Sequence, residues 1–144
     1  MTALSADKKS EYKEGVEANH PVDDGDTMYA GALSAFNADG YLVPGSDTAG
    51  LVFAGVSLDY GDNSDGVDGD VSVRVRRKGV YKMTISGTIT QANVGNKVFL
   101  VDDQTVGLAA TTTNDIFCGV IVEYIDSTHA YVDIEPAVNL GRNA

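Results

Sequence analysis

Residues 71–85 read VSVRVRRKGVYKMTI, and this stretch decides the fold class. Its first part, Val71–Arg76, alternates valine with a polar side chain at every step. Because a strand points successive side chains to opposite faces, the valines share one face and the polar residues share the other. We therefore predict a half-buried β-strand with one basic face.

Turn-forming residues divide the preceding sequence into further short strands. The segment Thr27–Phe36, the loop Asn37–Gly40 and the segment Tyr41–Val43 predict a β-hairpin with a glycine in its loop. Leu51–Leu58 is apolar on both faces, which is typical of a strand at the centre of a sheet or at a subunit interface.

The sequence after residue 85 predicts two more hairpins. One joins KVFLV (97–101) to TVGLA (105–109), and the other joins Ile116–Ile125 to Ala130–Ile134. Many short strands separated by turns indicate an all-β chain, with a single small β-barrel or β-sandwich and an extended N-terminal arm. We find no heptad pattern and no repeat of about 20 to 50 residues.

Residues 1–26 are predicted to form the N-terminal arm, followed by a β domain at residues 27–144. The arm carries few large apolar side chains and many lysines and glutamates. Such a segment cannot bury enough surface to offset the entropy that is lost when it becomes ordered. We expect the arm to be flexible in the free protein and to become ordered on a neighbouring subunit; a frayed terminus without a role is the alternative.

Composition excludes several classes of function. The 144 residues carry a formal net charge of −11, so most of the surface repels nucleic acid and we expect no nucleic-acid partner. The N-terminal sequence lacks the apolar segment of a signal peptide, and no stretch reaches roughly 18 apolar residues. We therefore expect a soluble protein with no membrane partner, made in the cytoplasm. The single Cys118 lies in the apolar run IFCGVIV and is expected to be buried in the core.

No catalytic, cofactor-binding or metal-binding set stands out in the sequence. The loop Asp59–Asp70 holds five aspartates, but their spacing fails the EF-hand pattern in every register, so we expect a solvated loop without a structural metal. The two histidines are His20 and His129, and neither is placed beside a nucleophile. A Cys118–His129 pair is disfavoured because apolar surroundings suppress the thiolate. We expect no enzymatic activity and no cofactor.

Four neighbouring residues, Arg74, Arg76, Arg77 and Lys78, form the dense basic cluster of this acidic sequence. Alternation places Arg74, Arg76 and Lys78 on one face of the strand. Two interpretations stay open. The cluster is either a solvated face balanced by the Asp59–Asp70 loop or a contact with an acidic surface of another subunit.

Several phrases between residues 40 and 135 resemble one protein family. They are DTAG (47–50) with FAGV (53–56), DNSDG (62–66) with DVSVRVRRKGV (70–80), ANVGNKVFLVDDQTV (92–106), and FCGVIVEY (117–124) with AYVDI (130–134). Together they are similar to the small head decoration, or cement, proteins that are encoded beside major capsid genes in many tailed bacteriophages and prophages.

The resemblance implies a non-enzymatic β protein that forms a homotrimer and binds the phage major capsid protein. Such a protein lies on the outside of an expanded head, in the virion, and stabilises the head by bridging capsid subunits. The candidate contacts with the capsid or with neighbouring subunits are Lys8, Lys9, Tyr12, Lys13, Arg74, Arg76 and Lys78.

Two alternatives from other classes remain. A carbohydrate-binding or adhesin-like β module needs exposed aromatic side chains, which the seven tyrosines permit. A small hydrolase needs a buried histidine or carboxylate pair, and the sequence offers none that we can identify.

Overall fold

The computed structural model describes residues 2–142, and most of the regular structure in this range is β-strand. The strands are β1 (Glu17–Pro21), β2 (Thr27–Met28), β3 (Leu33–Phe36), β4 (Leu42–Pro44), β5 (Val52–Ser57), β6 (Gly61–Asp62), β7 (Ser72–Arg76), β8 (Val80–Ser86), β9 (Lys97–Leu100), β10 (Thr105–Gly107), β11 (Phe117–Asp126) and β12 (His129–Asp133). The predicted all-β class is confirmed.

Helical structure within residues 2–142 is confined to short pieces. Two 3₁₀ turns lie at Gln91–Asn93 and Ala109–Thr111, and one short helix, α1 (Glu135–Val138), follows β12. Within residues 2–142, no helix is long and apolar enough to cross a membrane.

The first five-stranded unit is a sheet in the order β1-β7-β5-β3-β4, with antiparallel neighbours throughout. Just beyond β1, Val22 forms a parallel bridge to Leu42 of β4, so the two edges of the sheet approach each other. β5 is the middle strand, which confirms the central position expected from its two apolar faces. The hairpin predicted for residues 27–43 is present as β3 and β4, but its first strand begins at Leu33 rather than at Thr27, and Thr27–Met28 form the separate strand β2.

The second unit is a closed barrel in the order β10-β8-β12-β11-β9. All neighbours are antiparallel except β8 and β10, whose parallel pairing closes the barrel. Both hairpins predicted after residue 85 are present here, as β9–β10 and β11–β12. A separate ribbon pairs β2 with β6.

The two units have the same strand order and the same register. β1, β7, β5, β3 and β4 correspond, in that order, to β8, β12, β11, β9 and β10. Leu33 pairs with Val56 in the first unit and Lys97 with Val120 in the second, so both partners recur 64 residues later. The parallel bridge that brings β1 toward β4 recurs as the parallel pairing of β8 with β10.

The same repeat is present in the sequence. FAGVSLDY (53–60) and FCGVIVEY (117–124) share a phenylalanine, a glycine, a valine and a tyrosine at equivalent positions. The neighbouring strand skips Ala54 in the first segment and Cys118 in the second, so each unit carries a β-bulge at the same place. The chain is therefore an internal duplication of one barrel-like unit. Its spacing exceeds the range of about 20 to 50 residues in which the sequence shows no repeat.

Two apolar cores hold the units together. The larger core fills the closed barrel and includes Leu33, Phe53 and Val56 from the first unit. The smaller core fills the inside of the first unit, where Val73 and Val75 of β7 are fully buried. β5 contributes to both cores, which explains why both of its faces are apolar. The polar residues of β7 are exposed, so its prediction as a half-buried strand with a basic face is confirmed.

The folded part of the chain begins earlier than the sequence predicts. Residues 17–21, which we assigned to the arm, form β1 and pair with β7 along the whole strand. The segment EANHP has little β propensity, and its partners lie 51 to 59 residues further along the chain, so no local pattern indicates the pairing. The extended segment without strand pairing is residues 2–16.

Candidate functional site

Arg74, in the middle of the basic face, is neutralised within the chain. Its Nε donates a hydrogen bond to Asp59 Oδ2 at 3.0 Å and its Nη2 donates to Asp59 Oδ1 at 2.8 Å. The backbone N–H of Arg74 adds a bond to Oδ2 at 2.9 Å, and Glu17 lies 3.6 Å from the guanidinium. The side-chain bonds from Arg74, followed by the backbone bond, lower the pKa of Asp59 to about 2. For Arg74 the structure therefore favours the balanced, solvated face.

The other basic residues differ in how far the chain engages them. Arg77 binds the start of the fold, because its Nη1 donates to the carbonyl of Gly15 at 3.0 Å. Lys78 Nζ lies 3.9 Å from a carboxylate oxygen of Glu135, a long and exposed ion pair. Arg76 donates from Nε to the carbonyl of Lys78 at 3.3 Å, and no carboxylate within residues 2–142 lies at ion-pair distance from it. Arg76 is thus the cation on this face most available to a partner.

The predicted contact residues of the arm project into solvent. Lys8, Lys9, Tyr12 and Lys13 are all exposed, and Tyr12 has 82% of its surface accessible. Where the arm meets the body, the carbonyl of Val16 accepts a hydrogen bond from the backbone N–H of Arg77 at 2.8 Å. The structure therefore brings residues 15–16, where the arm joins the body, next to Arg77 at the end of the basic strand.

One buried side chain holds the acidic loop Asp59–Asp70 to the body of the protein. Asn63 is 1% exposed, and its Nδ2 donates to the carbonyl oxygens of Val22, Asp23 and Val67 at 3.1, 3.0 and 2.9 Å. Its buried Oδ1 has no hydrogen-bond partner within the described residues. The buried Asn63 side chain therefore fixes the loop to the body of the protein, whereas the loop's composition suggests a fully solvated segment.

Three carboxylates meet where this loop contacts the residues after β1. Carboxylate oxygens of Asp23, Asp24 and Asp68 lie within 4.8 Å of one another, and the backbone N–H of Asp24 donates to Asp68 Oδ1 at 2.9 Å. Partial burial raises the pKa of Asp23 above its ordinary value of 3.8, and the contact with Asp68 and neighbouring negative charges raise it further. Carboxylates are the ligands that Ca²⁺ prefers, but exposed acidic groups are common without an ion. The absence of a structural metal stays a prediction.

We expect the substitution Asp68→Asn to raise the melting temperature at neutral pH, because it removes one negative charge while the asparagine Oδ1 still accepts the bond from Asp24. The raised pKa of Asp23 means that the native state holds this proton more tightly than the unfolded chain does. Repulsion between Asp23 and Asp68 therefore destabilises the native state when the pH is above the native pKa of Asp23. Below the ordinary value of 3.8, Asp23 is protonated in both states and this repulsion is absent. Thermal melts across this pH range should show the gain shrinking to zero in acid.

Asp65→Asn, at an exposed aspartate of the same loop, is the matched control and should leave the melting temperature nearly unchanged. The same melts are repeated with excess chelator and with calcium, and neither addition should change the melting temperature. If calcium stabilises the wild-type protein by many degrees and Asp68→Asn abolishes that effect, the three aspartates form a metal centre and our expectation is wrong.

Cys118 and His129 occupy separate environments. Cys118 is fully buried, its Sγ contacts the carbonyl of Val98 at 3.5 Å, and burial raises the pKa of the thiol. His129 begins β12, and its Nδ1 lies 2.9 Å from Asp126 Oδ1. The prediction that Cys118 is a core residue is confirmed, and the structure does not join the two residues as nucleophile and base.

Two exposed tyrosines, Tyr29 and Tyr60, lie next to each other at the end of the β2–β6 ribbon. Met28 pairs with Gly61, so Tyr29 and Tyr60 are the next cross-strand neighbours and lie on the same face. Their ring centroids are 5.6 Å apart with an interplanar angle of 52°, and the residues are 59% and 61% exposed. Sequence reasoning did not single out this pair, because two-residue strands with distant partners leave no periodic pattern. The one available signal was a tyrosine directly beside each short strand.

A cleft of about 310 Å³ extends from Tyr29 to the barrel. It is lined by residues 29–32 of the first unit and by Asp103 and Gln104 from the β9–β10 loop of the second. The backbone N–H of Leu33 donates to the carbonyl of Asp103 at 2.8 Å, which fixes this loop beside the first unit. The cleft therefore lies where the two halves of the duplication meet.

Three surfaces are thus candidates for function: the arm, the basic face of β7 and the cleft beside Tyr29. Comparisons of the chain with protein-family models, with curated proteins and with solved structures find no match.

Proposed function

We propose that the protein is a head decoration, or cement, protein of a tailed bacteriophage or prophage. It forms a homotrimer, binds the major capsid protein on the outside of an expanded head and bridges neighbouring capsid subunits, without enzymatic activity. Its place is the virion, after synthesis in the host cytoplasm. The resemblance over residues 40–135 is the origin of the proposal, and the described surfaces support it.

The observation that carries the proposal is the extended segment 2–16. Leu4 and Tyr12 are 74% and 82% exposed, and no hydrogen bond joins residues 2–14 to the rest of the described chain. Large apolar side chains on an unpaired segment gain free energy when a second surface covers them, by about 25 cal/mol for each Å² of apolar area. A neighbouring subunit alongside the arm supplies such a surface.

The duplicated body suits a bridging role. Both units share the larger core through β5, so a force applied to one unit is transmitted to the other through packed side chains. Arg76 offers a charge for an acidic partner surface at the end of β7. Three chains that engage neighbouring capsid subunits gain attachment strength through effective concentration, so modest contacts by each chain suffice.

The proposal predicts a trimer that recognises expanded heads. Light scattering should give about three times the 15.1 kDa chain mass, or the trimer should appear on the head surface. The protein should cosediment with expanded phage heads and leave unexpanded heads unbound. Heads without the protein should release DNA at lower temperature than heads that carry it.

The control for head stability is an unrelated acidic protein of similar mass, which should neither bind nor protect the heads. A strict monomer that leaves expanded heads unbound contradicts the proposal. In that case carbohydrate binding becomes the preferred proposal for the function.

One structural observation favours that second candidate. A carbohydrate-binding β module requires exposed aromatic rings, and Tyr29 and Tyr60 form such a pair next to a polar cleft. The hydrolase alternative gains no comparable support from the described residues.

A further inference from the structure

The fold does not require Tyr60 to be exposed, as a comparison with the equivalent residue of the second unit shows. Tyr60 closes the segment FAGVSLDY, and the equivalent tyrosine of the second unit is Tyr124. Tyr124 is partly buried and packs against the larger core, whereas Tyr60 is 61% exposed beside Tyr29. The same structural position can therefore bury its ring, and in the first unit it presents the ring to solvent.

The tilted rings and the adjacent cleft have complementary chemistry. The face of a tyrosine ring carries a negative quadrupole and attracts polarised C–H groups, such as those on one face of a pyranose. The side chains of Asp103 and Gln104 make no hydrogen bond within residues 2–142, so an acceptor and an amide with two donors are available in the cleft. Sugar hydroxyls both donate and accept and match this set.

Size and charge narrow the class of ligand. A volume of about 310 Å³ lies at the low end of the range for small-molecule clefts, roughly 300 to 1,000 Å³. The Asp103 carboxylate and the net charge of −11 disfavour phosphates and acidic sugars. A few polar groups beside exposed rings also differ from the broad apolar core of a protein interface.

We infer that the cleft between Tyr29 and Gln104 is a binding site for neutral hexopyranose glycans. One sugar ring stacks on the Tyr29–Tyr60 pair, and its hydroxyls bond to the Asp103 carboxylate and the Gln104 amide. The inference develops the carbohydrate-binding candidate and does not depend on attachment to phage heads.

The test is isothermal titration of the full chain with maltohexaose, cellohexaose, mannohexaose, chitohexaose and the anionic hexamer of galacturonic acid. At least one neutral hexasaccharide should bind with a dissociation constant of about 1 mM or tighter, and the anionic hexamer should not. Tyr29→Ala should weaken binding about tenfold or more, Tyr29→Phe should retain it, and Gln104→Ala should weaken it to a similar degree.

Tyr131→Ala is the matched control, because it removes an exposed tyrosine of β12 that belongs neither to the cleft nor to the arm, and it should bind the hexasaccharide as the wild type does. Circular dichroism melts establish that each variant is folded. Failure of all four neutral hexamers to bind overturns the inference, as does equal binding by Tyr29→Ala. Head cosedimentation is measured on the same variants. Loss of head binding in Tyr29→Ala without any sugar binding assigns the pair to a capsid contact and likewise overturns it.

Discussion

Gly55→Ala should remove a large share of the protein's stability. Gly55 has φ of +136°, where a residue with a side chain is strained, and a Cβ at this position would collide with the carbonyl oxygen of Arg76 and lie 2.8 Å from Val75 Cγ1. These atoms belong to β7, so the strands at the centre of the first unit would have to separate. We expect a loss of at least about 3 kcal/mol, a large share of the roughly 5 to 15 kcal/mol that stabilises a typical domain. Urea unfolding followed by circular dichroism measures it.

Gly50→Ala separates collision from backbone strain. Gly50 has φ of +87°, and a Cβ there would meet no atom within 4 Å beyond the two adjacent residues, so alanine should cost only about 1 to 2 kcal/mol. Gly119 occupies the position equivalent to Gly55, and a Cβ there would lie 2.7 Å from the carbonyl oxygen of Asp133. Gly119→Ala should therefore resemble Gly55→Ala. Equal effects at Gly50 and Gly55 would contradict the collision argument.

Deleting residues 2–14 should abolish attachment to expanded heads while the body stays folded. The deletion removes Leu4, Tyr12 and three lysines but keeps Gly15, whose carbonyl binds Arg77. Because no hydrogen bond ties the deleted residues to the described part of the body, the free energy of unfolding should change by less than about 0.5 kcal/mol. Head affinity should fall by about 100-fold or more, since the loss is repeated in every chain of a trimer. Cosedimentation and urea unfolding of the same preparation measure both effects.

Tyr12→Ala tests how much the apolar surface of the arm contributes to head binding. A variant with Lys8, Lys9 and Lys13 changed to serine tests how much its positive charge contributes. Limited proteolysis of the full chain should cut the arm in the free protein and spare it on heads. Full head binding by the deletion variant, or protection of residues 8–14 in isolated monomers, would show that the arm is not the attachment segment.

Local patterns in the sequence were sufficient to predict the β class and most of the hairpins. Alternation in Val71–Arg76 determines which side chains are buried, and the loop Asn37–Gly40 determines where the chain reverses, so both predictions agree with the structure. Pairings between distant segments leave no such pattern. β1 was missed because its partners lie more than 50 residues away, and the duplication was missed because only four positions of FAGVSLDY recur unchanged in FCGVIVEY.

The candidate sites show the same limit. Alternation correctly placed Arg74 and Arg76 on an exposed face, and the loop Asp59–Asp70 was one of the two partners that the sequence left open for their charge. Only the structure identifies Asp59 as the partner of Arg74, and it shows no carboxylate of residues 2–142 at ion-pair distance from Arg76. Tyr29 and Tyr60 become neighbours only through the β2–β6 ribbon, a pairing between segments about 30 residues apart.

The duplication also creates an ambiguity for the folding chain, since β3 meets two candidate partners, β5 and β11, that accept the same register. Ser57 and Ile121 are equivalent and both buried, but Ser57 donates its hydroxyl proton to the carbonyl of Asp59 while Ile121 fills the barrel. An exchanged strand would put the smaller Ser57 side chain into the apolar barrel, where it leaves a void, and would force Ile121 into the smaller space that Ser57 occupies. The different residues at this one buried position therefore favour the pairing of each strand within its own unit over pairing with the other unit.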